Sequence, residues 1–206
     1  MNRETPGVSR KVIAITGGVA TGKSTVAGIF EKLGGFVISA DEVGHEVIKK
    51  GKPAYRKIIK AFGRAFLDGH GEIIRRELGK VVFGRASRVK KLNGITHPEI
   101  IRHIKKEIKK GARGGKFIVL EAPLLFEAKL EKLAGAVVTV YACRNSQLKR
   151  LEAKGYNRGD AVARIEAQMP LPEKMLRSQY VIFNTGAKKN LLPQARTIIK
   201  KEFKNA

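Results

Sequence analysis

Residues 17–25 read GGVATGKST and contain the pattern G-x-x-x-x-G-K-[ST] as Gly17, Gly22, Lys23 and Ser24. No other stretch constrains the fold of this chain so strongly. In such a loop the backbone N–H groups turn inward around phosphate oxygens. The lysine reaches the β- and γ-phosphates as a point charge, and the hydroxyl after it can ligate Mg²⁺. The helix that follows aims its positive end at the same anion. Residues 11–16 (KVIAIT) are apolar and β-branched, as a buried parallel strand requires. Downstream, Val26, Ile29, Phe30 and Leu33 recur at helical spacing and Gly34-Gly35 supplies a stop. Strand, loop and helix follow in the required order. Ala20, Thr21, Gly22, Lys23, Ser24 and Thr25 are therefore the expected nucleotide-phosphate contacts, with Ser24 the expected metal ligand.

The chain has 206 residues, of which 43% are hydrophobic, enough for one domain with a core and room for an insertion. Residues 1–10 are polar and show no secretory signal, and no apolar run approaches the roughly 18 residues of a membrane span. The single cysteine, Cys143, ends the run AVVTVYAC and reads as a small hydrophobe in a core strand. One cysteine forms no internal disulfide, and no Cys/His cluster suggests zinc. A cytoplasmic location is expected. Lys+Arg number 42 against 18 Asp+Glu, a net charge of +24, which implies attraction to polyanions. The cations are spread along the chain in pairs such as Lys49-Lys50 and Lys200-Lys201. In residues 99–108 the isoleucines mark one helix face and the cations the other, as on a solvated surface. With no Trp and 6% aromatics, platforms for base stacking are scarce. Salt-sensitive, nonspecific polyanion binding is expected, and no dedicated nucleic-acid partner.

Further strands are expected at residues 36–41, 116–121, 136–143 and 180–184. Helical patterns cover 42–110, 147–168 and 191–203. Gly69-His70-Gly71 breaks the first between Tyr55-Ile58-Ile59-Phe62 and Leu78-Val81-Val82-Phe83, and Gly155 and Gly159 interrupt the second. Apolar strands alternating with helices predict an α/β fold, a five-stranded parallel sheet covered on both faces, with two helical insertions. The ligand crevice of such a sheet lies at the carboxyl ends of its strands. Thr16, Asp41, Glu121 and Asn184 end strands on this reading and should converge near the phosphate loop.

A phosphate loop points to phosphoryl transfer, which needs Mg²⁺, cations on the moving phosphoryl group and a group that orients or deprotonates an acceptor. Asp41 suits that last role, or holds magnesium through water, or caps the helix expected from Glu42. Glu121 is either a metal-water ligand or a structural acid. Arg144, Arg150, Arg158 and Arg164 lie in the second insertion, where a lid arginine would neutralise the γ-phosphate, and chemistry alone does not choose among them. His97-Pro98 reads as a turn before a helix, with Pro at its first position. The histidine is either structural or part of a site.

These residues resemble the dephospho-CoA kinases over nearly the whole chain. The resemblance runs through VIAITGGVATGKST (12–25), VISAD (37–41), Phe62-Gly63, Asp68-Gly69, Arg75 with Leu78, Val82-Phe83, LNGITHP (92–98), PLLFE (123–127), Gln147 with Arg150-Leu151, Arg164-Ile165 with Gln168, and Val181-Ile182 with Asn184. The L-N-x-x-x-H-P and P-L-L-F-E stretches are the specific part. The resemblance implies ATP-dependent phosphorylation of the ribose 3′-hydroxyl of 3′-dephospho-CoA, the last step of coenzyme A synthesis. It implies a single kinase domain with a core at about 10–41, 112–146 and 178–206, a helical substrate-binding insertion at about 42–111 and a lid at about 147–177. Asp41 matches the acid acting on the acceptor hydroxyl, Lys23 the loop lysine and Arg150 the lid arginine. Arg75 and His97 match acceptor-site positions, and Asn184 a position near the adenine of ATP. Four departures stand out. Ala20 replaces a usual glycine, so that position is expected to have negative φ. Ser39 replaces one acid of D-A-D, Ile74 replaces an acid before the matched arginine, and Ser178-Gln179 replaces A-D.

Overall fold

The computed structural model describes residues 11–82 and 84–203. The expectations placed on residues 1–10 and on Phe83 lie outside them. Two compact units emerge, one of residues up to Ser39 together with those from Ile108 on, the other Ala40–Glu107.

The first unit is built on a five-stranded parallel sheet. Its strands are β1 (Val12–Gly17), β2 (Phe36–Ser39), β3 (Ile118–Glu121), β4 (Ala136–Tyr141) and β5 (Tyr180–Phe183), in the spatial order β2-β3-β1-β4-β5. Every residue of β1 is buried, as its uninterrupted apolar run requires of a central strand covered on both faces. Ile13 and Ile15 pack with Val119, Val138, Val140 and Ile182 against α1 (Lys23–Lys32) and α9 (Leu191–Phe203). Those helices contribute Val26, Phe30, Leu191 and Ile198. On the other face α8 (Leu171–Leu176) contacts β1 and β4. The edge strand β5 is shielded by one amide: Gln194 accepts from the Phe183 N–H at 2.9 Å and donates to its carbonyl at 3.2 Å.

Between β4 and β5, α6 (Arg144–Glu152) and α7 (Arg158–Glu166) precede α8. Gly155 breaks the helical run as expected, with φ +87°. Gly159 does not. Asn157 caps α7 by accepting from the Asp160 N–H at 2.8 Å, so Gly159 lies inside the helix. Cys143 also departs from expectation. β4 stops at Tyr141, and Cys143 is the exposed N-cap of α6, its Sγ 3.1 Å from Ser146 Oγ. The apolar run overshoots the strand because Ala142, buried beyond its end, carries the same pattern. At the start of β5 the Ser178-Gln179 pair serves the sheet. Ser178 Oγ is 2.7 Å from Thr139 Oγ1, and Gln179 accepts from the Val137 N–H at 2.7 Å.

The second unit holds α2 (Ala40–Val47), α3 (Pro53–Phe62), α4 (Arg75–Val82) and most of α5 (Ala86–Arg113). Its core joins Ile58, Phe66, Leu78 and Val82 to Phe62, Leu92 and Ile95. The break at residues 69–71 is a tight reversal beside an antiparallel bridge, Leu67 with Ile73. Asp68 accepts from the N–H groups of Glu72 and His70, each at 2.9 Å, and those bonds hold its carboxyl below the usual range. Two expectations fail here. Asp41 does not end a strand: pairing stops at Ser39, opposite Glu121, and Asp41 stands in the first turn of α2. His97-Pro98 is not a turn: α5 runs unbroken for 28 residues with Pro98 inside it. The apolar stripe from Leu92 through Ile95 to the fully buried Ile104 outweighs the hydrogen bond that proline removes.

Candidate functional site

The phosphate loop bridges β1 and α1 in the first unit. Gly17 has φ +148°, and a Cβ there would lie 2.5 Å from the Val140 carbonyl oxygen. Gly22, at φ +95°, is the N-cap of α1, and a Cβ there would meet the Asn184 side-chain nitrogen at 2.3 Å. No side chain caps α1 and no acid stands in its first turn, which leaves its positive end to an external anion.

The loop carbonyls are held from several directions. Lys23, only 8% exposed, donates from Nζ to the Gly18 carbonyl at 2.8 Å, and Thr21 Oγ1 donates to the same oxygen at 2.9 Å. Asn184 Nδ2 donates to the Thr21 carbonyl at 2.8 Å. Arg150 Nη1 donates to the Ala20 carbonyl at 3.0 Å, and its Nη2 to the Asn184 carbonyl at 3.4 Å. Ala20 has φ +57°, not the negative φ expected of it. The loop imposes the left-handed conformation that glycine adopts freely, at a cost of order 1–2 kcal/mol for alanine. Thr25 is exposed on the first turn of α1.

The structure also separates the four arginines of the second insertion. Arg144 pairs with Glu166 at 2.7 Å, Arg158 with Glu152 at 3.5 Å, and Arg164 stacks 4.3 Å from the centre of the Tyr156 ring. Arg150 alone among these four grips the loop. Ser24 Oγ donates to Glu121 Oε1 at 2.7 Å, bringing a hydroxyl and a carboxylate together at the end of β3. Among the described residues no group of three or more His, Cys, Asp or Glu could hold a metal ion by itself. The hard oxygen pair Ser24 and Glu121 does fit Mg²⁺, which takes few protein ligands and completes its shell with water and substrate phosphate.

In the second unit, Asp41 is exposed and His45 stands one turn further along α2, on the same face. Arg75, the first residue of α4, hydrogen-bonds His45 Nε2. Ile100, one turn beyond His97 on α5, lies 3.8 Å from where a Cβ on Gly44 would stand, so that face of α5 meets α2. His97 is half-buried, and burial lowers its pKa below the ordinary 6.5, leaving a neutral imidazole at pH 7. His45 escaped the sequence reading. Its spacing of four from Asp41 on an amphipathic helix was the available signal.

Another cluster was not foreseen. Lys174 in α8 is fully buried, donating to the Pro123 carbonyl at 2.6 Å and pairing with Glu127 at 3.0 Å. Glu127 also accepts from the Met169 N–H at 3.0 Å. The P-L-L-F-E stretch is thus tied to the segment entering α8.

No helix among the described residues is long and apolar enough to cross a membrane. The sequence profile of the dephospho-CoA kinase family matches residues 11–190. A dephospho-CoA kinase of Carboxydothermus hydrogenoformans is 45% identical over 192 residues, covering 92% of this chain and 93% of that protein. Among solved structures, TT1252 from Thermus thermophilus superposes with a TM-score of 0.82 at 31% identity, covering 93% of this chain and 97% of that one. The dephospho-CoA kinase from Campylobacter jejuni gives 0.71 at 27% identity, covering 95% and 99%. The profile match and the identity over nearly the whole length show that the chain belongs to the dephospho-CoA kinase family.

Proposed function

We propose that this enzyme transfers the γ-phosphoryl group of ATP to the ribose 3′-hydroxyl of 3′-dephospho-CoA, giving coenzyme A and ADP. The observation that carries this reading is the family match across residues 11–190, which takes in both the phosphate loop and the helical unit. A kinase of this family uses a nucleotide donor and a small-molecule acceptor.

Lys23, the N-terminus of α1 and Arg150 supply positive charge where the transferring phosphoryl group gains negative charge. Asn184 fixes the loop near the adenine of ATP, and residues 20–25 line the phosphates. The Asp41 carboxylate accepts the proton of the 3′-hydroxyl as the new O–P bond forms and the bond to the β-phosphate oxygen breaks. Arg75 and His97 orient the acceptor. Ser24 would hold Mg²⁺ and Glu121 would reach it through water; such an ion would offset the negative charge of the nucleotide's phosphates. The helical insertion at about 42–111 binds the acceptor and the segment at about 147–177 closes over the phosphates as a lid. The separate core of Ala40–Glu107 supports the first of these assignments.

Competition between acceptors tests the reading. Dephospho-CoA mixed with equal amounts of nucleosides and nucleotides should be the phosphorylated species. Preferred labelling of a nucleoside or nucleotide would instead assign the chain a different acceptor.

A further inference from the structure

Arg75 opens α4, and its exposed guanidinium hydrogen-bonds Nε2 of His45 in α2, 30 residues earlier. A guanidinium has five N–H donors and no acceptor, so the imidazole accepts in this contact. Nε2 then carries the lone pair, and the ring is neutral with its proton on Nδ1. Among the described residues no carboxylate pairs with Arg75, and His45 is its side chain's hydrogen-bond partner. The carboxylates nearest in sequence are committed elsewhere. Glu77 Oε1 and Oε2 accept from Lys80 Nζ at 2.8 and 2.9 Å, and Glu72 accepts from the Lys50 N–H at 3.1 Å. The residue just before the arginine is Ile74.

A carboxylate partner would fix the guanidinium and offset its charge at the same time. A neutral imidazole fixes it and leaves the whole charge for a ligand. His45 stands one turn from Asp41 on the same face of α2, so the arginine is anchored beside the carboxylate assigned to the acceptor hydroxyl. We propose that His45 is a positioning residue, holding Arg75 for an anionic group of the acceptor without neutralising it. The proposal rests on the kinase reading, in which Arg75 orients dephospho-CoA, an acceptor that carries a diphosphate.

The test is calorimetric titration of dephospho-CoA, and separately of ATP, into the wild type, His45→Gln, His45→Ala and His45→Glu. His45→Gln keeps a neutral acceptor and should bind dephospho-CoA within about twofold of the wild type. His45→Ala releases the guanidinium, and His45→Glu holds it but offsets its charge. Each should weaken dephospho-CoA binding by about tenfold, the scale of one hydrogen bond to a charged group. ATP should bind all four proteins within about twofold of one another. Thermal unfolding separates positioning from stability: the exposed ion pair made by His45→Glu should leave its Tm no lower than that of His45→Gln. In an Arg75→Met background the three substitutions should no longer differ, because they act through the guanidinium. Wild-type affinity in His45→Glu overturns the proposal, as does a loss in His45→Gln equal to that in His45→Ala, or a difference that persists without Arg75. A wild type that binds no dephospho-CoA overturns the kinase reading and the proposal with it, whereas binding with the wrong order of variants overturns the proposal alone.

Discussion

Arg150 donates to the carbonyl of Ala20 at 3.0 Å, joining α6 to the phosphate loop across 130 residues of sequence. The same guanidinium reaches the Asn184 carbonyl, and Asn184 in turn binds the Thr21 carbonyl. Loop, α6 and the end of β5 thus meet at one planar cation. The loop residue it grips is the one held at φ +57°.

Arg150→Ala should lower kcat by roughly 10³-fold, the scale on which a phosphoryl-transfer arginine acts. Arg150→Lys should restore little, because an ammonium cannot span two carbonyls as a planar fork does. Steady-state kinetics with varied ATP checks this; a kcat within threefold of wild type in Arg150→Ala would remove Arg150 from the reaction.

Ala20→Gly should stabilise the fold by about 1 kcal/mol, since glycine adopts this left-handed conformation without the Cβ clash. For a chain of this size that is a rise in Tm of about 2–4 °C. Thermal unfolding measures it, and an unchanged or lowered Tm would contradict the strain argument.

Lys174→Met should destabilise the protein by about 3 kcal/mol at pH 7, because Glu127 and the Pro123 carbonyl lose their buried partner. The loss should depend on pH. Burial opposes ionisation of Glu127, but hydrogen bonds from its own and the Met169 N–H groups, with the Lys174 ammonium, outweigh it and hold the carboxyl below its ordinary 4.5. A depressed folded pKa gives stability that is complete above about 4.5 and disappears as pH falls through the folded value. The gap between wild type and Lys174→Met should therefore narrow on acidification. Urea unfolding at several pH values reads it out; a gap constant down to pH 3 would show that the ion pair is not its source.

Asp41→Asn should lower kcat by roughly 10²–10⁴-fold while leaving the KM for ATP within about threefold, as loss of a general base implies. Equal turnover in wild type and mutant would transfer the role of base elsewhere.

Much of this is legible in the sequence, and the exceptions lie where partners distant in sequence decide the outcome. β1, the loop and α1 could be read directly because each local signal, from the apolar run to Gly22 and the helical spacing, agrees with its neighbours. Cys143 and Asp41 were misassigned because an apolar pattern does not say at which residue pairing with the next strand ends. Proline at position 98 misled because local chemistry favoured a break while the buried stripe ending in Ile104 favoured continuity. Lys174 could not be found at all. Its partners lie 51 residues away at Pro123 and in Glu127, and a lone lysine in a lysine-rich chain carries no mark of burial. Arg150 became distinguishable from its three neighbours only when their acidic and aromatic partners were visible.

The most direct test of the whole account is to incubate the protein with ATP, Mg²⁺ and 3′-dephospho-CoA, with Lys23→Ala alongside, and score the product by mass and by the position of the new phosphate. The account predicts coenzyme A phosphorylated on the ribose 3′-oxygen with the wild type and almost none with Lys23→Ala. No coenzyme A from a folded wild type that binds ATP, or equal product from Lys23→Ala, would contradict it.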